Sequence, residues 1–159
     1  MTAKEIRRLG TNEVEEAVRL VMEVFAQYVA PHMDQEGIDE FMSFIDPEYL
    51  CMKMGEGEIR LWGAFEDGEL AGVLGTRGLN HICLLFVKRE FQRRGIGASL
   101  LKKAALDMME LDPAAGYMTV NADSGAIPFY KAMGFEETGE ERRVNGIAYT
   151  PMKITGKDR

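Results

Sequence analysis

The apolar run Ile82 to Val87 (I-C-L-L-F-V) is unbroken and too short for a membrane span, and it predicts a strand buried on both faces. A polar turn follows at Lys88-Arg89-Glu90, and the period then changes. Ile96, Leu100, Leu101, Ala104, Ala105 and Met108 recur at helical spacing, with Lys102 and Lys103 on the other face, which predicts a long amphipathic helix. Upstream, Lys4 to Leu9 reads as a first strand. Thr11 and Asn12 offer an N-cap, with Glu15 at capping-box spacing from Asn12, for a helix from about Glu13 to Val29 that Pro31 ends. Residues 31–37 read as a polar loop, 38–45 as a second helix, and Asp46-Pro47 opens a third through Leu50 and Met54. Residues 58–66 and 69–76 form a hairpin around Asp67-Gly68. Gly78-Leu79-Asn80 then turns into the apolar strand. Beyond the long helix come a loop at Asp112-Pro113-Ala114, a strand at 117–121 and a short helix at 127–133 that Gly134 stops. Residues 135–143 and 147–154 pair as a last hairpin around Asn145-Gly146, and Lys157-Asp158-Arg159 reads as a frayed tail. This order predicts an α/β fold, a mixed sheet with helices on both faces.

Composition narrows the class. At 159 residues the chain suits one domain, 1–159, with a sizeable core. A net charge of −7 argues against non-specific nucleic-acid binding and is mildly compatible with a cationic, amine-bearing substrate, although solubility is the better explanation of charge alone. Cys51 and Cys83 lie in apolar contexts without a metal-ligand pattern, so a reduced, cytoplasmic setting is expected, with no metal. No apolar run approaches the ~18 residues of a spanning helix, and the charged N-terminus lacks an apolar signal segment.

The candidate chemistry sits between the apolar strand and the long helix, at Gln92-Arg93-Arg94-Gly95-Ile96-Gly97. The first N–H groups of a helix have no internal partner, and the helix dipole adds positive charge there. A strand feeding a Gly-x-Gly turn at a helix start is therefore a phosphate-binding device, to which Arg93 and Arg94 can add charge-assisted bonds. For a lone Gly-x-Gly, tight strand–helix packing explains the two glycines equally well, but the strand before it and the long helix after it favour the phosphate reading. The spacing matches neither G-x-x-x-x-G-K-[ST] nor G-x-G-x-x-G, since position 100 is Leu100.

This segment resembles the acetyl-CoA signature Q/R-x-x-G-x-G/A of the GCN5-related N-acetyltransferase (GNAT) superfamily. Residues 120–135 (VNADSGAIPFYKAMGF) are similar to the family's later motif, in which a strand end leads to a short helix carrying Phe-Tyr and then to x-x-x-Gly-Phe. The two blocks cover roughly the C-terminal half. The resemblance implies a twisted, mixed, mostly antiparallel sheet of about seven strands, and direct acetyl transfer from acetyl-CoA to a primary amine on a small molecule or protein. It also implies that the main chain of Leu85, Phe86 and Val87 holds the pantetheine arm. The diphosphate falls on Arg93, Arg94, Gly95, Ile96, Gly97 and Ala98, with Gln92 bracing the turn. Asn121 and Phe129 join the cofactor site. Tyr130 takes the place of the family's general acid beside the sulfur. At a position where many members carry Asn, this chain has Asp123, which leaves the side-chain contact there open.

No motif marks the base. His81 opens the apolar strand, and simple alternation puts it on one side with Cys83, Leu85 and Val87; it is a candidate base, with a purely structural histidine or a water chain as alternatives. Three functions are therefore open: an N-acetyltransferase, a non-catalytic acyl-CoA-binding module, and a binder of another phosphate-bearing ligand. A homodimer through the last hairpin is a further possibility.

Overall fold

The computed structural model describes residues 4–114 and 116–155, so the expected tail at 157–159 lies outside the described residues. The strands are β1 (Lys4–Arg8), β2 (Ile59–Glu66), β3 (Glu69–Arg77), β4 (His81–Val87), β5 (Tyr117–Ala122), β6 (Glu136–Glu137), β7 (Arg142–Val144) and β8 (Ile147–Thr155). The helices are α1 (Val14–Tyr28), α2 (Gln35–Phe44), α3 (Pro47–Gly55), α4 (Ile96–Leu111) and α5 (Ile127–Ala132). The strands lie in the order β1-β2-β3-β4-β5-β8-β6, with β7 also paired to β8. Every pairing is antiparallel except β4 with β5.

Two apolar clusters sandwich this sheet. On one face Leu100, Leu101, Ala104 and Met108 of α4 meet Trp62, Leu74, Ile82, Val120 and Met152. On the other, Ala17, Val18, Val21 and Val24 of α1 meet Leu61, Val73 and Leu84, with Leu50 of α3 alongside. Helix α4 is fixed at both ends. Near its end, Trp62 Nε1 donates to Asp107 Oδ2 at 2.7 Å. At its start, Gly72 lets the helix approach the sheet, since a Cβ there would sit 3.1 Å from both Ile96 and Leu100. That contact sets the helix N-terminus over the end of β4.

The elements follow the apolar pattern, with four differences. The α1 start is braced by Glu13, whose carboxylate accepts from the Gly10 N–H at 3.0 Å and pairs with Arg7 at 2.8 Å, so the expected Asn12–Glu15 box is not the one used. Helix α2 begins at Gln35, inside the expected polar loop, because Asp34 caps it by accepting from the Gly37 N–H at 3.2 Å. The first arm of the last hairpin is broken into β6 and β7, so the outer edge of the sheet is two short pieces instead of one continuous strand. Finally, β4 carries a bulge. Gly75 pairs with Leu84 but Thr76 pairs with Ile82, which leaves Cys83 as the extra residue.

The bulge resets which face each side chain takes. Cys83, Leu84 and Phe86 pack with the α1 cluster, while Ile82, Leu85 and Val87 pack with the α4 cluster. The expected common side for His81, Cys83, Leu85 and Val87 therefore fails beyond Cys83, because one inserted residue reverses every later position.

Candidate functional site

The parallel pairing of β4 with β5 is only two rungs long, His81 with Thr119 and Ile82 with Val120. Beyond them the strands part, and residues 83–87 of β4 turn an unladdered main-chain edge toward β5. A cleft of about 770 Å³ fills the gap. Leu85, Phe86, Val87, Gln92, Asn121 and Tyr130 are among its walls, and α1 and α2 contribute Phe25, Tyr28, Phe41 and Phe44.

At one end of the cleft stands the turn into α4. Arg93 (φ 65°) and Gly95 (φ 77°) are both left-handed, and this winds the chain so that Gly95 caps the helix. The first helical hydrogen bond runs from the Ser99 N–H to the Gly95 oxygen at 3.0 Å. The amides before it, at Ile96, Gly97 and Ala98, are the free donors of a helix start, which favours an anion. Gln92 braces the turn, its side-chain amide donating to the Val87 oxygen at 3.0 Å. Arg94 turns to Glu66, a carboxylate only 7% exposed, at 3.1 Å, so part of its charge is already committed within the protein. Arg93 is exposed. Gly97 sits 3.5 Å, by its would-be Cβ, from the ring of Phe129, so its lack of a side chain seats α5 against the first turn of α4.

Tyr130 stands in the middle of the cleft wall. It is 4% exposed and held edge-on between the rings of Phe129 (5.1 Å) and Phe135 (5.3 Å). Burial raises its hydroxyl pKa well above the usual phenol value, and the nearby Asp123 carboxylate and Cys83 act in the same direction. The hydroxyl therefore stays protonated, a donor with no hydrogen-bond partner among the described residues. Cys83 is pushed up to about 12, chiefly by burial, which keeps it a thiol. Asp123 is occupied locally. Its Oδ1 accepts from the Gly125 N–H at 2.7 Å and from the Ala126 N–H at 3.2 Å, shaping the turn into α5. Asn121 is exposed on the cleft side of β5.

His81 lies at the closed end of the gap. Its Nδ1 is 2.8 Å from Thr119 Oγ1, a partner directly across the last parallel rungs. Burial, with the Arg77 charge adding to it, lowers its pKa below the usual 6.5, so the ring is neutral at pH 7. Apolar patterning missed three cleft features: the bulge at Cys83, the Thr119 partner of His81, and Arg77 on the wall. The first has no signature in the sequence. Arg77, between a strand and Gly78, belongs to no motif that would mark it.

A family model described as "Acetyltransferase (GNAT) domain" matches residues 29–156. The chain belongs to the GNAT acetyltransferase family. Among curated relatives, the uncharacterized N-acetyltransferase YafP of Escherichia coli (strain K12) is 24% identical over 138 residues, 87% of this chain and 85% of that protein. Solved GNAT structures share the fold. The PaiA N-acetyltransferase of Thermoplasma acidophilum in complex with coenzyme A has a TM-score of 0.79 at 21% identity, covering 96% of this chain and 99% of that one. The ribosomal-protein-S18-alanine N-acetyltransferase of Escherichia coli has a TM-score of 0.70 at 16% identity, covering 96% of this chain and 94% of that one. Among the described residues no helix is long and apolar enough to cross a membrane.

Proposed function

We propose that the whole chain, 1–159, acts as one N-acetyltransferase domain that moves an acetyl group from acetyl-CoA to a primary amine by direct transfer. The observation that carries the reading is the pairing of free α4 amides with an open β4 edge. The family supplies the reaction class, and the Thermoplasma relative's complex with coenzyme A supports the donor. The residues fit that donor. A diphosphate needs a cradle of N–H donors with no Cβ in the way, and the turn Arg93 to Ala98 has that form around Gly95 and Gly97. A pantetheine arm carries amides that need strand-like partners, and the β4 segment Leu85 to Val87 has no strand paired on its gap side, although the Val87 oxygen already accepts from Gln92. Phe129 shapes the cradle by packing under Gly97, and Asn121 closes the opposite wall.

When bound, acetyl-CoA supplies the acetyl group already activated as a thioester. The protein contributes placement, a donor for the charge that develops on the carbonyl oxygen, and two proton positions. A β4 backbone N–H facing the gap donates to that oxygen. Tyr130, protonated at all physiological pH values, donates its hydroxyl proton toward the leaving sulfur. The attacking nitrogen must be neutral. His81, neutral at pH 7 and held through Nδ1 by Thr119, leaves Nε2 to take a proton directly or through water. Cys83 takes no part, because a thiol raised to about 12 is a poor nucleophile.

The test is release of free thiol from acetyl-CoA across a panel of amines. Tyr130→Phe is expected to lower kcat on the order of 10²-fold while leaving the KM for acetyl-CoA within about twofold. Absence of acetyl-CoA binding by calorimetry contradicts the proposal. Tight binding with no turnover on any amine favours the non-catalytic acyl-CoA-binding reading instead.

A further inference from the structure

Arg77 is the one cation among the Lys and Arg side chains of the described cleft wall, and its place does not suit the donor. It ends β3 and pairs with His81 at the start of β4, whereas the anion-binding turn follows Val87 at the other end of the same strand. At about 3.3 Å per residue, the seven residues of β4 separate the two by roughly 20 Å. Arg77 is therefore beyond reach of a diphosphate held at the α4 start.

The two carboxylates of the wall, and His81, have protein partners. Glu40 accepts from the Asn145 side-chain amide at 3.4 Å, Asp123 accepts from two backbone N–H groups, and His81 contacts Thr119. Arg77 has no hydrogen bond or ion pair among the described residues. Its charge reaches into the cleft all the same, since it is felt at both His81 and Cys83. Arg77 is itself exposed, and an exposed arginine on an open surface needs no partner. One that lines a cleft beside the candidate base, in a chain of net charge −7, presents an unused planar fork where the acceptor must lie.

Resting on the acetyltransferase reading above, we propose that the acceptor is an amino carboxylate and that Arg77 binds its carboxylate while the amine reaches the gap beside Tyr130. The guanidinium would fix the far end of the acceptor and orient its nitrogen. Because Arg77 sits at the His81 rung and the gap opens beyond it, amines separated from the carboxylate by several bonds fit better than α-amines. The Leu84 rung is about three residues, or roughly 10 Å, further on.

The experiment compares matched pairs that differ only in the carboxylate: 5-aminopentanoate against butylamine, 6-aminohexanoate against pentylamine, and lysine against cadaverine. The wild-type protein is expected to favour the carboxylate member at least tenfold in kcat/KM. Arg77→Gln is expected to erase the difference within each pair through KM, and Arg77→Lys to restore part of it. Equal kcat/KM within the wild-type pairs overturns the inference and leaves the acetyltransferase reading standing, because the amines still turn over. A preference that survives Arg77→Gln overturns it as well. Should no amine turn over, the same pairs are titrated calorimetrically into protein loaded with coenzyme A. Tighter binding of the carboxylate member, lost in Arg77→Gln, supports the carboxylate site; equal or absent binding of the two members rejects it.

Discussion

Single residues carry three consequences that separate structure from chemistry. Thr76 is fully buried, and its Oγ1 has no hydrogen-bond partner among the described residues. A buried hydroxyl without a partner costs about 1–3 kcal/mol, and valine has the same shape with a better strand preference. Thr76→Val is expected to stabilise the protein by about 1 kcal/mol, which a thermal melt reads as a rise of roughly 2–4 °C. A fall in Tm would mean that the hydroxyl has a partner. His81 gives the pH dependence. Its folded pKa lies below 6.5, so as the pH falls the unfolded chain takes this proton before the folded one. The His81 contribution is intact above 6.5 and is lost as the pH drops toward the folded value. Between pH 7.5 and 5.5 the wild type is expected to lose more Tm than His81→Gln, and equal losses would refute the depressed value. Gly95 holds φ 77° with nothing within 4 Å of a Cβ, so Gly95→Ala is not a packing defect. It costs about 1–2 kcal/mol of backbone strain and sets a methyl on the proposed cradle. A raised KM for acetyl-CoA with an unchanged KM for the amine is the expected result.

At the scale of elements, the last hairpin and α2 are keyed together. Gly37 and Gly146 approach so closely that a Cβ on Gly37 would lie 2.5 Å from the Gly146 oxygen. Arg143 pairs with Asp34 at 2.7 Å beside them. The hairpin tip thus leans on the start of α2, and together they wall one side of the cleft with Asn145 and Phe41. Gly37→Ala is expected to push them apart at a cost of about 1–3 kcal/mol and to speed amide exchange at Ala148 and Tyr149. Unchanged exchange and Tm would show that the contact yields freely. Much of this scale is legible in the sequence. The α4 stripe, the Asp67-Gly68 and Asn145-Gly146 turns and the Ile82–Val87 run all appear where periodicity puts them, because each depends on local pattern alone. The early start of α2 is missed because Gln35, Glu36 and Gly37 are polar or small, and only the Asp34 cap makes them helical. The Cys83 bulge is missed because nothing in an all-apolar run says which residue is extra. That single residue decides the faces of Leu85 and Val87.

Over the whole molecule, the fold serves mainly to leave one gap. Antiparallel pairing closes the sheet everywhere except between β4 and β5, where two parallel rungs give way to an open edge. Helix α4, drawn onto the sheet through Gly72 and Trp62, aims its free amides at one end of that opening. The sequence blocks at 92–97 and 120–135 mark its two sides, so the family is legible from them. The proposed acceptor side is not, because its walls come from α1, α2, Arg77 and the last hairpin, which only the tertiary structure brings together.

In the proposed function the α4 amides hold a diphosphate and thereby lay a thioester along β4 toward Tyr130. A crystal structure with coenzyme A tests it most directly. Diphosphate oxygens are expected within hydrogen-bond distance of the amides among residues 95–98, with pantetheine amides paired to residues 85–87 and the sulfur beside the Tyr130 hydroxyl. Coenzyme A bound away from the β4–β5 gap, or bound there with its diphosphate clear of those amides, contradicts it.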